Sequence, residues 1–513
     1  MNLKCLFIIE LAISALFASQ LTFAHDGHDT KDMIVTELGD LGRVDFSSSC
    51  NDEAQSAINT GVALLHHMMY AQAEKHFNQW IEKQPDCAML YWGYAMTLFH
   101  PLWPDTISKE ALILGHNAIT TAKTLTSSKR ESDYIDAAAA YYHDWNSTPD
   151  KKRIGLWAVA QKQVFDNYPN DLDATAFYAL SQLVTAPKTD GSFSQQKQAG
   201  ELLSKIYRKS PTHPGAIHYT IHAYDNPVLA EQAVSAARAY DKIAPDVPHA
   251  LHMPSHIFVR IGYWEDVISW NIRSAKAALN FPTKGSTSMH YVHAVDYLVY
   301  GYMQSQQTEK ALAAYQEIKK HHPIQTTFPA AYAMTTIPVR IVLETNAWQK
   351  ASQLQTRQPD YFNWDNFPEV EAITYYARGL GAVRSQNIKA AHESLAVLNT
   401  LYEKTLAKSP TYWAILVDAQ RQTLDAWIKF ETGNKAKAIS QLRRAANLED
   451  SLDKNPVTPG AVLPARELLG DMLLLRGDYE AAISAFEASL NINPNRAKSI
   501  KGISLAKSQL SKL

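Results

Sequence analysis

The chain has 513 residues, with 49 Lys and Arg against 51 Asp and Glu and a formal net charge of −2 at pH 7. This balance, with basic residues spread along the chain, argues against nucleic acid or an anionic membrane surface as a partner. The length exceeds what one hydrophobic core supports, although a repeat array reaches it as one unit. Glycine is sparse and sustained alternating apolar runs are missing, so composition favours helices.

The first 24 residues have the pattern of a signal peptide. Lys4 supplies a basic start, an apolar run extends from Leu6 to Phe23, and Ala24 is a small residue before the expected cleavage point. The run is too short and too interrupted for a membrane span. We therefore predict an exported protein, periplasmic or secreted, with a flexible segment over 25–45 and a helical array over 46–513.

Two cysteines, Cys50 and Cys87, remain in the predicted mature chain. Export favours a disulfide bond between them, and two unpaired buried thiols are the alternative. No CxxC pair occurs in the sequence, which argues against a thiolate zinc site.

A repeated pattern of small residues, aromatics and prolines marks helix-turn-helix units. Near the start it comprises Gly61, Leu64, Tyr70, Ala73, Phe77 and Pro85, and near the end Gly470, Leu473, Gly477, Tyr479, Ala482, Phe486 and Pro494. Small residues let two helices approach, aromatics fill the gap and proline ends the second helix. The spacing is typical of the tetratricopeptide repeat, and the clearest units are predicted near 54–87, 214–247, 248–281, 292–325 and 463–496.

Histidines are concentrated between His213 and Tyr300. His218 and His222 are four residues apart, so they share one face of a helix. His252 and His256 repeat this pair 34 residues later, which is the period of a tetratricopeptide repeat. Equivalent helix faces lie side by side in stacked repeats, so we expect the two pairs to belong to one imidazole-rich wall.

The stripe of His252 and His256 begins one turn earlier, at His249, and it returns 44 residues later as His293, Asp296 and Tyr300. In tetratricopeptide superhelices, the first helix of each repeat lines the concave groove. The predicted ligand-binding residues of that groove are His218, His222, His249, His252, His256, His293, Asp225 and Asp296.

This set predicts a site for a transition metal, namely Zn, Cu or Fe, because neutral imidazoles bind these ions and a pair four residues apart can chelate one ion. Asp225 or Asp296 would supply an oxygen ligand or orient an imidazole. The alternatives are a small anionic ligand and a set of histidines that only form hydrogen-bonded links between helices.

A secondary groove patch is predicted from five further residues. Glu467 and Asp471 fall on the groove face of the last repeat, and Arg260 continues the stripe of His252 and His256 by one turn. His66 and His100 belong to an aromatic surface near the start of the chain.

Several segments resemble a family of uncharacterised bacterial tetratricopeptide repeat proteins. They are Ala63-Leu-Leu-His66, Pro85-Asp-Cys-Ala-Met, Tyr91-Trp-Gly, His218-Tyr-Thr-Ile-His222, Pro248-His-Ala-Leu-His-Met-Pro-Ser-His-Ile257, Pro464-Ala-Arg-Glu-Leu-Leu-Gly-Asp471 and Pro494-Asn-Arg496. The resemblance covers nearly all of the mature chain and departs from the pattern at His67 and Met68. It implies an exported or cytoplasmic helical array and supplies no activity.

The functional hypothesis is an exported protein whose concave groove binds a transition metal or a small anion through its histidines. The alternative is a scaffold that binds a protein or peptide in the groove without metal. A third hypothesis is a metal-dependent enzyme with an open coordination position. Nucleophile elbows, phosphate-binding loops and HExxH motifs do not occur in the sequence, so whether the chain is an enzyme stays open.

Overall fold

A computed structural model describes residues 39–103, 107–187, 190–408 and 411–512. The predicted signal peptide and residues 25–38 lie outside these ranges. Within them the chain is all-α, as predicted, and its extended pairs are the isolated bridges Thr283–Ser286 and Thr287–Ile324.

The helices pack mainly against their neighbours in the chain. The first twelve are α1 Asp52–His66, α2 Tyr70–Lys83, α3 Ala88–Thr97, α4 Lys109–Thr124, α5 Lys129–Tyr142, α6 Asp150–Asn167, α7 Leu172–Thr185, α8 Ser194–Lys209, α9 Pro214–Tyr224, α10 Val234–Ala239, α11 Pro248–His252 and α12 Pro254–Ile261. The others are α13 Trp264–Ala278, α14 Met289–Gln304, α15 Thr308–Ile318, α16 Phe328–Glu344, α17 Trp348–Ser352, α18 Pro368–Arg384, α19 Ile388–Lys408, α20 Tyr412–Glu431, α21 Lys435–Asp450, α22 Ala465–Arg476, α23 Tyr479–Ile492 and α24 Ala497–Leu510.

Two aromatic rings show why the predicted units form helical pairs. A Cβ added at Gly61 or Gly93 would lie 2.2 Å from the Phe77 ring, so this ring of α2 fits between α1 and α3 only because glycine faces it on both sides. Phe486 of α23 is placed in the same way, since a Cβ at Gly470 or Gly502 would lie 2.6 or 2.4 Å from its ring. The same packing therefore recurs at both ends of the array.

The described end of the predicted flexible segment, residues 39–45, is anchored to the array. The backbone N–H of Arg43 donates to the carbonyl of Thr212 at 2.9 Å, and the carbonyl of Leu41 accepts from the His67 ring at 3.0 Å. Just beyond it, the buried Phe46 ring stacks on Trp92 at 5.0 Å. These contacts correct the expected flexibility for this part of the range, because polar and apolar groups both have partners here. Cys50 and Cys87 form a disulfide bond next to α1 and α3.

A non-helical stretch near the C-terminus, residues 451–464, contacts α12, α14, α16 and Asp225, the residue after α9; we call it the covering segment. Asp453 pairs with Arg260 of α12 at 2.6 Å. The Tyr297 hydroxyl of α14 lies 3.0 Å from the carbonyl oxygens of both Pro456 and Thr458. The repeat pattern placed the histidines on a groove face, and at this surface a later part of the same chain packs against them.

In the described part of the chain, none of the helices combines the length and the apolar character needed to cross a membrane.

Candidate metal centre

Four helices bring seven histidines together; we call these residues the histidine cluster. They are His218 and His222 of α9, His249 and His252 of α11, His256 of α12, and His290 and His293 of α14. Pro214, Pro248 and Pro254 stand at the first helical positions, where the missing N–H costs no hydrogen bond. The break between α11 and α12 therefore lies beside His252, and the histidines on either side of it remain aligned.

The cluster is interior rather than groove-facing. His218 is 0% exposed, His252 and His256 are 2% exposed, and His290 is 9% exposed. Burial of polar nitrogens requires a partner for each of them, because an unsatisfied buried group costs about 1–3 kcal/mol. The partners of the ring nitrogens therefore indicate what the cluster is for.

His252, His256 and His293 form a group that we call trio B. The Nδ1–H of His252 donates to the Asn271 Oδ1 at 2.8 Å, and the orientation of this amide is fixed because its Nδ2 donates to the Val267 carbonyl at 2.7 Å. The Nδ1–H of His256 donates to the Asp225 Oδ2 at 3.1 Å. A neutral imidazole carries one N–H, so Nε2 of both rings is a lone pair.

These two Nε2 atoms lie 3.1 Å apart. Two lone pairs repel at this separation, whereas two nitrogens bound to one ion at about 2.0–2.1 Å in a tetrahedral site stand roughly 3.3 Å apart. His293, whose Nδ1 has no hydrogen-bond partner among the described residues, is the third member of the trio. One ligand atom from each residue lies within 4.8 Å of the other two.

A metal ion would need one lone pair from each of three imidazoles, and no hydrogen bond in the described structure commits the Nδ1 of His293. A metal ion accepts all three, and the Nδ1–H bonds to Asn271 and Asp225 are the kind of outer contact that orients metal-binding histidines. The residues present therefore fit a metal ion.

His218, His222 and His249 form the second group, trio A, in which one ligand atom from each residue again lies within 4.8 Å of the others. The Nδ1–H of His218 donates to the backbone carbonyl of His66 at 2.5 Å, which makes its Nε2 a lone pair. Across the described ranges, the Nε2 atoms of His218 and His222 and both nitrogens of His249 lack a hydrogen-bond partner.

Electrostatics keep the cluster neutral. Burial lowers the pKa of His249 and of His293 well below the ordinary value, and neighbouring imidazoles lower both further. Burial also lowers the pKa of His222, to about 3. These rings are therefore unprotonated near neutral pH, which is the form that binds metal.

Asp225 lies at the edge of trio B and orients it rather than belonging to a trio. Its carboxylate accepts from His256, from Arg260 Nε at 2.7 Å and from Lys454 Nζ at 3.2 Å. The pKa of Asp225 is well below its usual value despite burial, because Lys454 and Arg260 stabilise the charged form. Of the two roles predicted for this carboxylate, the structure shows the orienting one.

Asp296 was predicted as a ligand or an orienting residue, and the structure gives it neither contact. Its Oδ1 accepts from Arg340 Nε and from the Thr336 hydroxyl, both at 2.9 Å. Arg340 comes from α16, two helices later in the chain, so no spacing within α14 indicates this pairing.

The predicted secondary patch is not one surface. Glu467 is buried and bonded to Arg496 at 2.9 Å, and Asp471 lies one turn later in α22. The His100 ring stacks on Tyr70 at 4.3 Å near the start of the array. Arg260 reaches the histidine cluster through Asp225, as described above.

His66 belongs to a separate group at the N-terminal end, which we call the N-terminal network; it contains His66, His67, Asp173 and His213. The Nε2–H of His66 and of His213 both donate to Asp173 Oδ1, at 2.8 and 3.2 Å. The Nδ1 of His66 accepts from the Tyr219 hydroxyl at 3.0 Å, and that of His213 from the backbone N–H of Ala216 at 3.3 Å. His66, Asp173 and His213 are close enough to hold an ion, but their nitrogens are already used.

Sequence reasoning missed three residues around the cluster. Asn271 fixes His252, Lys454 neutralises Asp225, and the Tyr297 ring lies 4.5 Å from the ring of His252. The ring of His290 lies 5.3 Å from that of His249 without joining either trio. Tyr297 has a sequence signal, since it follows His293 by four residues; the contacts of Asn271 and Lys454 depend on tertiary packing.

Comparison with known proteins identifies the repeat. The tetratricopeptide repeat family model matches residues 463–496, which comprise α22 and α23. Comparison with curated proteins finds no match. The family match and the paired helices confirm the predicted fold class, an all-α tetratricopeptide repeat superhelix.

Solved structures similar to this chain include that of yeast Tom70, with 12% identity, coverage of 90% of this chain and 96% of that chain, and a TM-score of 0.32. The APC/C hetero-tetramer Cut9-Hcn1 has 11% identity, coverage of 88% and 89%, and a TM-score of 0.31. The P58(IPK) tetratricopeptide repeat domain has 13% identity, coverage of 90% and 99%, and a TM-score of 0.22.

Proposed function

We propose that this chain is an exported tetratricopeptide repeat protein that binds a transition-metal ion at trio B. The observation that carries the proposal is the pair of Nε2 lone pairs of His252 and His256, which face each other at 3.1 Å while both Nδ1–H groups are committed elsewhere. Imidazole donors suit Zn, Cu, Fe and Ni. The Cys50–Cys87 disulfide supports an oxidising compartment.

The binding site leaves a coordination position for a further ligand. Three protein ligands and one exchangeable position characterise catalytic metal sites, whereas four protein ligands characterise structural ones. When bound, the ion would supply Lewis acidity or redox chemistry. The chain's own residues would orient the imidazoles and exclude water, since the covering segment closes this side of the cluster.

Peptide binding by the array is the alternative, and repeats of this fold are suited to protein binding. At the histidine cluster, however, the carbonyl oxygens of Pro456 and Thr458 already lie within hydrogen-bond distance of the Tyr297 hydroxyl. A peptide would have to displace the covering segment or use another surface. For this reason the proposal places metal binding first.

The test is metal analysis of the full chain after export by a bacterial host and purification without chelator. Wild-type protein should carry tightly held metal, and the His252→Ala, His256→Ala double variant should lose all metal bound at trio B. His213→Asn is the matched control, because asparagine is a good helix N-cap and His213 contributes to neither trio. Wild-type protein that contains no metal and takes up none on titration would overturn the proposal.

A further inference from the structure

Trio A repeats the features that make trio B a binding site. Its three imidazoles come from α9 and α11, and the ring of His218 lies 4.9 Å from that of His222 and 5.0 Å from that of His249. Outer orientation is also repeated, since the Nδ1–H of His218 donates to the His66 carbonyl, as that of His252 donates to Asn271. Metal-binding histidines commonly donate their second N–H in this way.

We infer that the histidine cluster holds two metal ions, one in trio A and one in trio B; this inference rests on the proposed function of trio B and extends it. The two trios are neighbours, because the ring of His222 lies 6.2 Å from that of His256 and the ring of His249 lies 6.4 Å from that of His252. No residue is shared between them, so each ion has three imidazole ligands of its own.

A single ion cannot use all of these nitrogens. Tetrahedral coordination accepts four ligands, whereas the two trios together contain six imidazoles, each with a nitrogen within 4.8 Å of those of its two partners. An ion in trio B alone leaves the Nε2 atoms of His218 and His222 and both nitrogens of His249 unsatisfied within the described structure. A second ion in trio A would give one nitrogen of each of its three residues a partner.

Charge restricts which ions the pair can be. The six imidazoles are neutral, and Asp225, the carboxylate beside the cluster, is already neutralised by Arg260 and Lys454. Two divalent ions would bury four positive charges without a carboxylate ligand, which is costly in a water-excluded interior. The site therefore fits two monovalent copper ions, or two divalent ions that share a small anion in their open positions.

Ion stoichiometry tests this inference separately from the proposed function. The full chain is stripped with chelator and reloaded with Cu(I) under anaerobic conditions and, in parallel, with Zn(II) in the presence and absence of chloride or phosphate. Wild-type protein should bind two ions per chain. One ion per chain would overturn the two-ion inference and leave the proposed function standing, and no ion would overturn both.

Variants assign the ions to the trios. His249→Ala should reduce the stoichiometry from two to one, and His252→Ala with His256→Ala should leave only the trio A ion. His290→Ala is the matched control, because this buried ring lies next to His249 and belongs to neither trio, so it should keep two ions.

Crystals of metal-loaded wild-type protein test the inference even if the variants fail to fold. Diffraction at the absorption edge of the metal should give two anomalous peaks, one inside each trio. A single peak, or two peaks with one outside the cluster, would contradict the inference.

Discussion

The histidine cluster and the N-terminal network contain the same residue type at similar depth, yet they use it in opposite ways. In the N-terminal network, each imidazole donates from Nε2 and accepts at Nδ1, as His67 does with Leu41 and Tyr240 at 3.0 Å each. In the histidine cluster, the Nδ1–H groups of His218, His252 and His256 donate, and Nε2 of each of these rings is left as a lone pair. Burial and residue type therefore do not distinguish a structural histidine from a ligand; the second nitrogen does.

The largest expected effect tests the structural side of this comparison. Asp173→Ala removes the acceptor shared by His66 and His213 and leaves two buried N–H groups unpaired. We expect the free energy of unfolding to fall by about 3–5 kcal/mol, measured by urea denaturation with chelator present. Metal content per folded chain should not change.

The control for Asp173→Ala is Asp166→Ala, which breaks an exposed ion pair with Lys162 and should cost less than about 1 kcal/mol. Loss of metal from folded Asp173→Ala protein would contradict the comparison between the two regions, because it would make the N-terminal network part of the binding site.

A pH series gives the next largest effect. Burial lowers the pKa of His67 to about 4, below its value near 6.5 in the unfolded chain. The folded state therefore binds fewer protons than the unfolded state, so the stabilisation is complete above about pH 6.5 and is lost as the pH falls towards 4. His67→Gln retains a donor for Leu41 and an acceptor for Tyr240. As the pH falls towards 4, its free energy of unfolding should decrease by about 3 kcal/mol less than that of wild type.

The measurement for His67→Gln is the free energy of unfolding of metal-free protein at intervals between pH 7 and pH 4. His143→Gln, at an exposed position, is the control. Parallel curves for wild type and His67→Gln would show that burial does not hold His67 neutral in the folded chain.

The smallest expected effect on stability tests the cover of the histidine cluster. Asp453 pairs with Arg260 but its side chain is 54% exposed, so Asp453→Asn should change the free energy of unfolding by less than about 1 kcal/mol. Metal exchange with a coloured chelator should become several-fold faster, because the covering segment loses one of its attachments. An unchanged exchange rate would indicate that ions enter by another route.

Local periodicity was enough to predict the helical pairs and the approach of the histidines. The 34-residue displacement from His218 and His222 to His252 and His256 places both pairs in one cluster, because stacked repeats align equivalent faces. The paired glycines around Phe486 likewise follow from the repeat pattern of the matched segment.

What the sequence could not predict depends on contacts between distant parts of the chain. The carbonyl of His66 that orients His218 is 152 residues away, and the Lys454 that reaches Asp225 is 229 residues away. The covering segment has no helical period, so no pattern indicates that it fills the groove. Asp296 was assigned to the wrong role for the same reason, since Arg340 lies on a different helix.

The covering segment also has a consequence for biogenesis. It is synthesised about 160 residues after His293, the last imidazole of the two trios, so during synthesis the ligands exist long before the polypeptide that shields them. In a growing or proteolytically shortened chain, those rings would be exposed to solvent. Competing chelators could then remove metal ions bound to them. Only molecules whose C-terminal repeats have been completed and docked would then retain their metal ions.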